Sequence, residues 1–325
     1  MEPTVSVVVT TYNQARYIEQ TLQSVFDQTA PAFEVIVVDD GSTDNTPSLL
    51  APFRGRIKYI RQHNQGVASS RNTGIAQARG EYVALLDGDD LWEPRKLAAQ
   101  IEAAYRFPKS GIIVANGVEF DESGIIQPSL LCDVQRVLRL PEDQVVTVPY
   151  CDQALEWNPI WTVSQVMIPR AVLQHIGVSD STFTCGSDYD LYLRIAEKYD
   201  LTFIMERLVR WRYLTTSASG RREIRALRYR LDHILALKKQ TRTTSEPRRA
   251  LIKNILDRRV PLASESAYYY GRQHDRLLAT RMLWRLFTST FAVTSFVYLL
   301  ALWIPSSIIH GTAPTIRRIL GLPRG

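Results

Sequence analysis

Five aspartates, Asp39, Asp40, Asp87, Asp89 and Asp90, fall in two clusters, each directly after a short run of apolar residues. In extended chain Asp87 and Asp89 point to the same side, and Gly88 between them leaves room for a ligand to approach. Hard cations such as Mg2+ or Mn2+ accept one or two carboxylates and complete their shell with water and phosphate oxygens, so this spacing suits a divalent metal. A solvated turn is the alternative meaning of an isolated Asp-Gly-Asp-Asp. The run Asp39-Asp40-Gly41-Ser42 joins a carboxylate, a glycine turn and a helix start, a combination that suits a base or ribose beside a phosphate at a helix N-terminus. Thr10 and Tyr12 close the first apolar run. The Tyr12 ring is placed either to stack on a nucleobase or to pack against the helix that follows.

These residues need a scaffold that brings strand ends together, and the chain spells one. Val5 to Thr10 is a nearly continuous β-branched run, as in a strand buried on both faces, and Ile18, Leu22 and Val25 then recur at helical spacing. The unit repeats: strands at Glu34–Val38, Ile57–Ile60 and Tyr82–Leu86, and helices after Asp44 or Thr46, over Val67–Ala78 and over Pro94–Tyr105. This alternation predicts an α/β fold with a mainly parallel sheet flanked by helices, whose carboxyl edge collects the aspartates. Beyond Gly111 strands are expected at Ile112–Val118 and Thr162–Ile168, a helix at Asp188–Lys198 and a strand pair over Leu201–Tyr213. From Arg221 the pattern is helical.

Charge divides the chain in the same place. Residues 1–205 carry 16 Lys and Arg against 26 Asp and Glu, net −10, while residues 206–325 carry 23 against 7, net +16. The overall +6 therefore averages an acidic body and a basic tail. With 45% hydrophobic and 22% charged residues the chain is globular, not disordered. Three cysteines, Cys132, Cys151 and Cys185, without CxxC spacing exclude a zinc knuckle and a disulfide framework and point to a reducing cytoplasm. The short apolar run at the start is not a secretory signal core. No histidine pair has metal-ligand spacing, and no GxGxxG follows the first strand, which disfavours a dehydrogenase.

Four fragments in order, VSVVVTTYNQARYIEQTLQSVFDQT, EVIVVDDGSTDNT, NQGVASSRNTGIAQARGEYVALLDGDDLWEP and CGSDYDLYLRIA, resemble the family 2 glycosyltransferases with the GT-A fold over residues 4 to about 215. That resemblance implies a nucleoside-diphosphate sugar donor, with a UDP-sugar expected. It assigns Thr10, Tyr12, Asp40 and Asp87 to the nucleotide, Asp87 and Asp89 to the metal as a DxD motif, and Arg71 to a phosphate or sugar contact. Asp188 matches the aspartate that acts as general base in inverting members; Asp190 is its rival. The residue before it is Ser187, where the family has glutamate. Arg207 stands where the glutamine of the processive QxxRW motif belongs, which implies addition of a single sugar. Arg212 matches a phosphate-gripping arginine, while Leu214 replaces the histidine common in that region.

The expected domains are a catalytic domain over 1–215, a basic helical region over 216–280 and an apolar C-terminal helix and tail over 281–325. Leu286 to Ile304 holds no charge and has a mean hydropathy of roughly 1.8, at the level of a spanning helix. Its Thr and Ser content and Pro305 leave a surface-lying or core-packed helix open as well. The surrounding arginines, with Tyr268–Tyr270, Trp284 and Trp303, suit an anionic membrane surface. Nucleic acid is not an expected partner, because the catalytic body is acidic. The function expected is transfer of one sugar to a saccharide or polyprenyl-linked cell-envelope acceptor, at the inner face of the plasma membrane. The alternative is a membrane-tethered sugar-nucleotide binder that has lost turnover.

Overall fold

The computed structural model describes residues 3–139, 144–148, 158–183, 186–214, 222–242 and 244–303. Expectations placed on Cys151, Cys185, Arg221, Ile304, Pro305 and the tail that follows lie outside them. The chain divides into two compact units, residues 1–218 and 219–325.

In the N-terminal unit β1 (Val5–Thr11), β2 (Glu34–Asp39), β3 (Lys58–Arg61) and β4 (Tyr82–Asp87) alternate with α1 (Ile18–Phe26), α2 (Thr46–Leu50) and α3 (Val67–Gln77). All seven residues of β1 are buried, because helices cover the sheet on both faces. Side chains alternate accordingly. Val8, Ile36, Val38 and Leu85 join Ile75 of α3 in one core, and Val7, Val9, Val37 and Leu86 join Ile18, Leu22 and Val25 of α1 in the other.

The remaining elements are β5 (Leu91–Trp92), α4 (Lys96–Arg106), β6 (Ser110–Asp121), β7 (Gly124–Gln127), α5 (Cys132–Leu138), β8 (Val145–Val148), β9 (Val166–Pro169), α6 (Arg170–Ile176), α7 (Ser187–Ala196) and β10 (Asp200–Arg212). The strands form one sheet in the order β3-β2-β1-β4-β9-β6-β10-β5, with β7 on β6 and β8 on β10. Pairing is parallel from β3 to β4 and between β6 and β10, and antiparallel at β9 and at β5. The sheet is therefore parallel in its first half and mixed beyond β4.

The expected strand pair over Leu201–Tyr213 is a single strand. Its polar break, Glu206-Arg207, is an irregularity at which the register against β6 shifts, so the strand bends without turning back.

The C-terminal unit contains α8 (Arg222–Gln240), α9 (Glu246–Gln273), α10 (Arg276–Thr290) and α11 (Val293–Trp303). The apolar run from Leu286 is divided between the last two. Phe291 adopts a left-handed φ of 53° that ends α10, without a glycine or proline at the break. Among the described residues no helix is long and apolar enough to cross a membrane. Ser264 of α9 and Ser295 of α11 hydrogen-bond inside this unit at 2.8 Å, pinning the two helices together.

Candidate active site

Strand order reverses at β1, which has β2 on one side and β4 on the other, and crevices open at the carboxyl ends of strands at such a point. Register brings the predicted residues to it: Thr10 lies opposite Asp87, and Thr11 opposite Asp39. Tyr12 follows directly and its ring is 44% exposed, stacked on no other ring among the described residues.

The two aspartates after β2 organise loops. Asp39 is fully buried and accepts hydrogen bonds from the Ser42 amide and the Tyr59 hydroxyl, each at 2.8 Å. That contact and burial push the Tyr59 phenol up to about 12, burial being the larger cause. Asp40 accepts from the Gln62 side chain at 2.8 Å, the Gln65 amide at 3.0 Å and the Gly66 amide at 2.8 Å. Gly66 has a φ of 87°, a backbone state that favours glycine, and from it α3 departs. Three of the acceptor positions of Asp40 are thus committed to the loop before α3.

The Asp87–Asp90 turn is held from several distant elements. A Cβ on Gly88 would meet Gln14 Oε1 at 2.3 Å and both the Thr10 carbonyl oxygen and Thr11 Cβ at 3.0 Å, so a side chain there would displace Gln14 and press on the end of β1. The Thr21 hydroxyl bonds the carbonyls of Gly88 and Asp90 at 3.0 and 2.9 Å. Asp90 is buried; its carboxyl pairs with the Ser164 hydroxyl at 2.5 Å, the Thr162 hydroxyl at 3.2 Å and the Arg212 amide at 2.9 Å. Arg212 in turn donates from Nε to the Asp89 carbonyl at 2.8 Å, with its guanidinium over the Tyr17 and Phe120 rings. The predicted phosphate-gripping arginine is therefore also a clasp on the turn.

Asp87 points to the other side of the turn. Arg71, buried in α3, donates to its Oδ1 and Oδ2 at 2.9 and 3.2 Å, and the Thr10 hydroxyl reaches Oδ1 at 3.3 Å. Burial works against the Arg71 charge, but Asp87 and Asp188 together offset it and hold the guanidinium above its ordinary range. Asp188 lies half-buried in the first turn of α7. The Tyr192 hydroxyl, one turn on, is buried without a hydrogen-bond partner among the described residues, and burial and Asp188 push it well above the usual phenol range. Asp190 points away, fully buried and paired with Arg194 at 3.0 Å in its own helix. Thr10, Arg71, Asp87, Asp89 and Asp188 are thus brought to one site by β1, α3, β4 and α7.

Asp89, unlike Asp87, carries no ion pair among the described residues. Burial first, and the Asp87 charge second, raise its carboxyl from 3.8 to about 7, against a weaker pull from Arg212 and Gln14. Two neighbouring carboxylates, one half-buried and paired with arginine and the other buried and not so paired, leave a negative excess that a divalent cation would relieve. Among the described residues no group of three or more His, Cys, Asp or Glu side chains is placed to hold a metal by itself. The donor set fits a hard cation that keeps water and substrate oxygens in its shell.

The sequence placed Asp90 in its cluster without giving it a role, and gave no sign of the parts taken by Ser164, Tyr192 and the Gln62–Gly66 segment. Asp90 was visible as the last letter of its motif, but its partners are 74 and 122 residues away in the chain. Tyr192 carried a weak signal, lying four residues after Asp188 and so on the same helix face.

Residues 6–155 match the model of glycosyl transferase family 2. An uncharacterized glycosyltransferase of Rickettsia prowazekii is 29% identical over 212 residues, covering 65% of this chain and 64% of that protein. TuaG of Bacillus subtilis, a glycosyltransferase named for teichuronic acid biosynthesis, is 38% identical over 132 residues, 37% of this chain and 52% of its own length. The chain thus spans less than two thirds of either relative. Among solved structures, TarS 1–349 of S. aureus in complex with UDP superposes with a TM-score of 0.59 at 16% identity, covering 88% of this chain and 81% of that one. The mannosyltransferase PcManGT of Pyrobaculum calidifontis, in complex with GDP-Man and Mn2+, gives 0.58 at 23% identity, covering 93% and 86%. At these identities the structures speak for the fold. On these findings residues 6–155 resemble glycosyl transferase family 2, and the unit that holds them has a GT-A-type fold.

Proposed function

We propose that the protein is an inverting, metal-dependent glycosyltransferase that moves one sugar from a nucleoside diphosphate, with UDP-sugar as the favoured donor, to an acceptor hydroxyl. The observation that carries this reading is the Asp87–Asp89 pair at the switch point, Asp89 buried and Asp87 half-buried, with Arg71 on one carboxylate and the other left to a cation. Structures of TarS with UDP and with UDP-GlcNAc, and of PcManGT with GDP-Man and Mn2+, support a nucleotide-sugar donor on this fold. The name of TuaG supports an acceptor of cell-envelope type, either saccharide or polyprenyl-linked.

In this reading the Tyr12 ring receives the base, Thr10 and Asp40 position the nucleotide end of the crevice, and Arg71 holds Asp87 towards the ribose and diphosphate. Asp89, with Asp87, would hold Mg2+ or Mn2+, which when bound neutralises charge on the departing diphosphate. Asp188 takes the proton of the acceptor hydroxyl as that oxygen forms its bond to the anomeric carbon. The bond to the diphosphate breaks on the opposite face, so configuration inverts. Arg207 in place of a processive glutamine supports one transfer per encounter. The basic C-terminal unit supports attachment at an anionic membrane surface on the cytoplasmic side.

The test is a thermal-shift and turnover screen of sugar nucleotides with and without Mn2+. Binding and transfer that need the cation, and that both fail in Asp89→Asn, support the reading; turnover unchanged in Asp89→Asn removes the metal role. The second reading, a sugar-nucleotide binder without turnover, is motivated by Ser187 and Leu214. Nucleotide binding with no product from any acceptor extract favours it.

A further inference from the structure

A cavity of about 840 Å³ opens in the C-terminal unit beside Pro261, which sits inside α9, and the Phe291–Ala292 break between α10 and α11. Four cations line it, Lys238, Arg242, Arg249 and Lys253, against one carboxylate, Asp257. Arg249 is tied to Glu246 at 2.9 Å, whereas Lys238, Arg242 and Lys253 carry no ion pair among the described residues. The rest of the wall is largely apolar, from Leu256, Val260, Pro261, Ala292 and Val293. Cations that repel one another around an apolar floor are complementary to one kind of molecule, an anion with a hydrocarbon continuation.

We propose that this cavity is a binding site for a phosphate-bearing membrane lipid, whose headgroup pairs with Lys238, Arg242 and Lys253 and whose first chain carbons rest on the apolar wall. A free phosphate would use the cations but not the surface beside them. Phe291, at the left-handed corner, is 77% exposed and Val293 is 70% exposed, so the lip of the cavity presents two apolar side chains to whatever carries the ligand. Trp284 and Leu300, on the same two helices, are 54% and 55% exposed. A cationic pocket beside an exposed apolar lip is what an anionic lipid surface satisfies and water does not. The inference rests on the reading that this unit meets a membrane, and adds a discrete headgroup site to it.

The experiment is co-sedimentation of the full chain with phosphatidylcholine vesicles, with and without phosphatidic acid, in parallel with titration of inorganic phosphate. Three variants accompany wild type. Arg242→Glu reverses a cation of the cavity, Arg281→Glu reverses an exposed cation of α10 outside it, and Thr294→Trp fills the cavity without changing charge. The expected result is binding only to the vesicles with phosphatidic acid, weakened about 30-fold by Arg242→Glu, comparably weakened by Thr294→Trp, and much less affected by Arg281→Glu. Equal losses in the two charge reversals with none in Thr294→Trp would leave a diffuse membrane attachment standing and overturn the site. Wild type that ignores the phosphatidic acid vesicles would overturn both. Saturation by inorganic phosphate without vesicle binding would assign the cavity to a soluble anion and overturn the lipid.

Discussion

Replacing Asp89 by asparagine separates what this residue costs the fold from what it does for binding. Its carboxyl, raised from 3.8 to about 7, holds a proton more tightly in the folded protein than in the unfolded chain. Below pH 3.8 both states are protonated and nothing is lost. As pH rises from 3.8 towards 7 the unfolded chain ionises while the buried group resists, so stability falls through that window and the penalty is complete above it. At about 1.4 kcal/mol for each pH unit, the penalty reaches about 2 kcal/mol at pH 5 and about 4 kcal/mol at pH 8. Asparagine keeps the shape and removes the charge. Asp89→Asn is therefore expected to be more stable than wild type, by up to about 4 kcal/mol at pH 8 and about 2 kcal/mol at pH 5, in urea unfolding with EDTA present. The same variant loses Mn2+-dependent donor binding, because the group that attracts the cation is gone. In wild type, cation affinity falls by up to about tenfold for each pH unit below 7, as protons compete for the same oxygen atoms. A variant less stable than wild type at pH 8, or one that still binds Mn2+ and donor as tightly, refutes the reasoning: the first would show that Asp89 is not a strained carboxylate, the second that it is not the cation's ligand.

Other substitutions probe the neighbouring contacts. Asp188→Asn is expected to lower kcat by at least about a hundredfold while leaving the nucleotide Kd within a few-fold, measured by coupled diphosphate release and calorimetry; loss of binding would make it a positioning residue for Arg71. Asp90→Ala leaves the Ser164 and Thr162 hydroxyls and the Arg212 amide without their acceptor and should cost about 3 kcal/mol in urea unfolding, with Asp90→Asn costing clearly less. Equal costs would show that the contacts do not hold the turn. Gly88→Ala forces a methyl into the Gln14 side chain and the Thr10 backbone, and is expected to lose about 1–3 kcal/mol of stability together with most turnover; an unchanged melting temperature would contradict the packing.

The half of the fold that positions the donor-side residues was legible because buried parallel strands announce themselves. Val5 to Thr11 has no polar face to hide, and its neighbours repeat the pattern at helical intervals. Asp87 and Asp89 were legible because a motif three residues long carries its own geometry. What a sequence states poorly is a contact between distant residues: Arg71 on Asp87 across 16 positions, Arg212 on Asp90 across 122. Glu206-Arg207 looks like a turn because polarity breaks an apolar run, and only pairing against β6 shows that the strand continues through a register shift. The Phe291 break was illegible for the opposite reason. An aromatic residue in a left-handed conformation has no local preference behind it, so packing within the helical unit overrides the continuous apolar pattern.

Nucleoside diphosphate release from a panel of sugar nucleotides, followed in the presence of a cell-envelope acceptor extract with Mn2+ and then with excess EDTA, bears most directly on the proposed activity. The account predicts acceptor-stimulated release from one donor class, with the sugar recovered on the acceptor in inverted configuration, and its abolition by EDTA. Release that is indifferent to EDTA, or no transfer from any donor by a protein that still binds nucleotide, would contradict it.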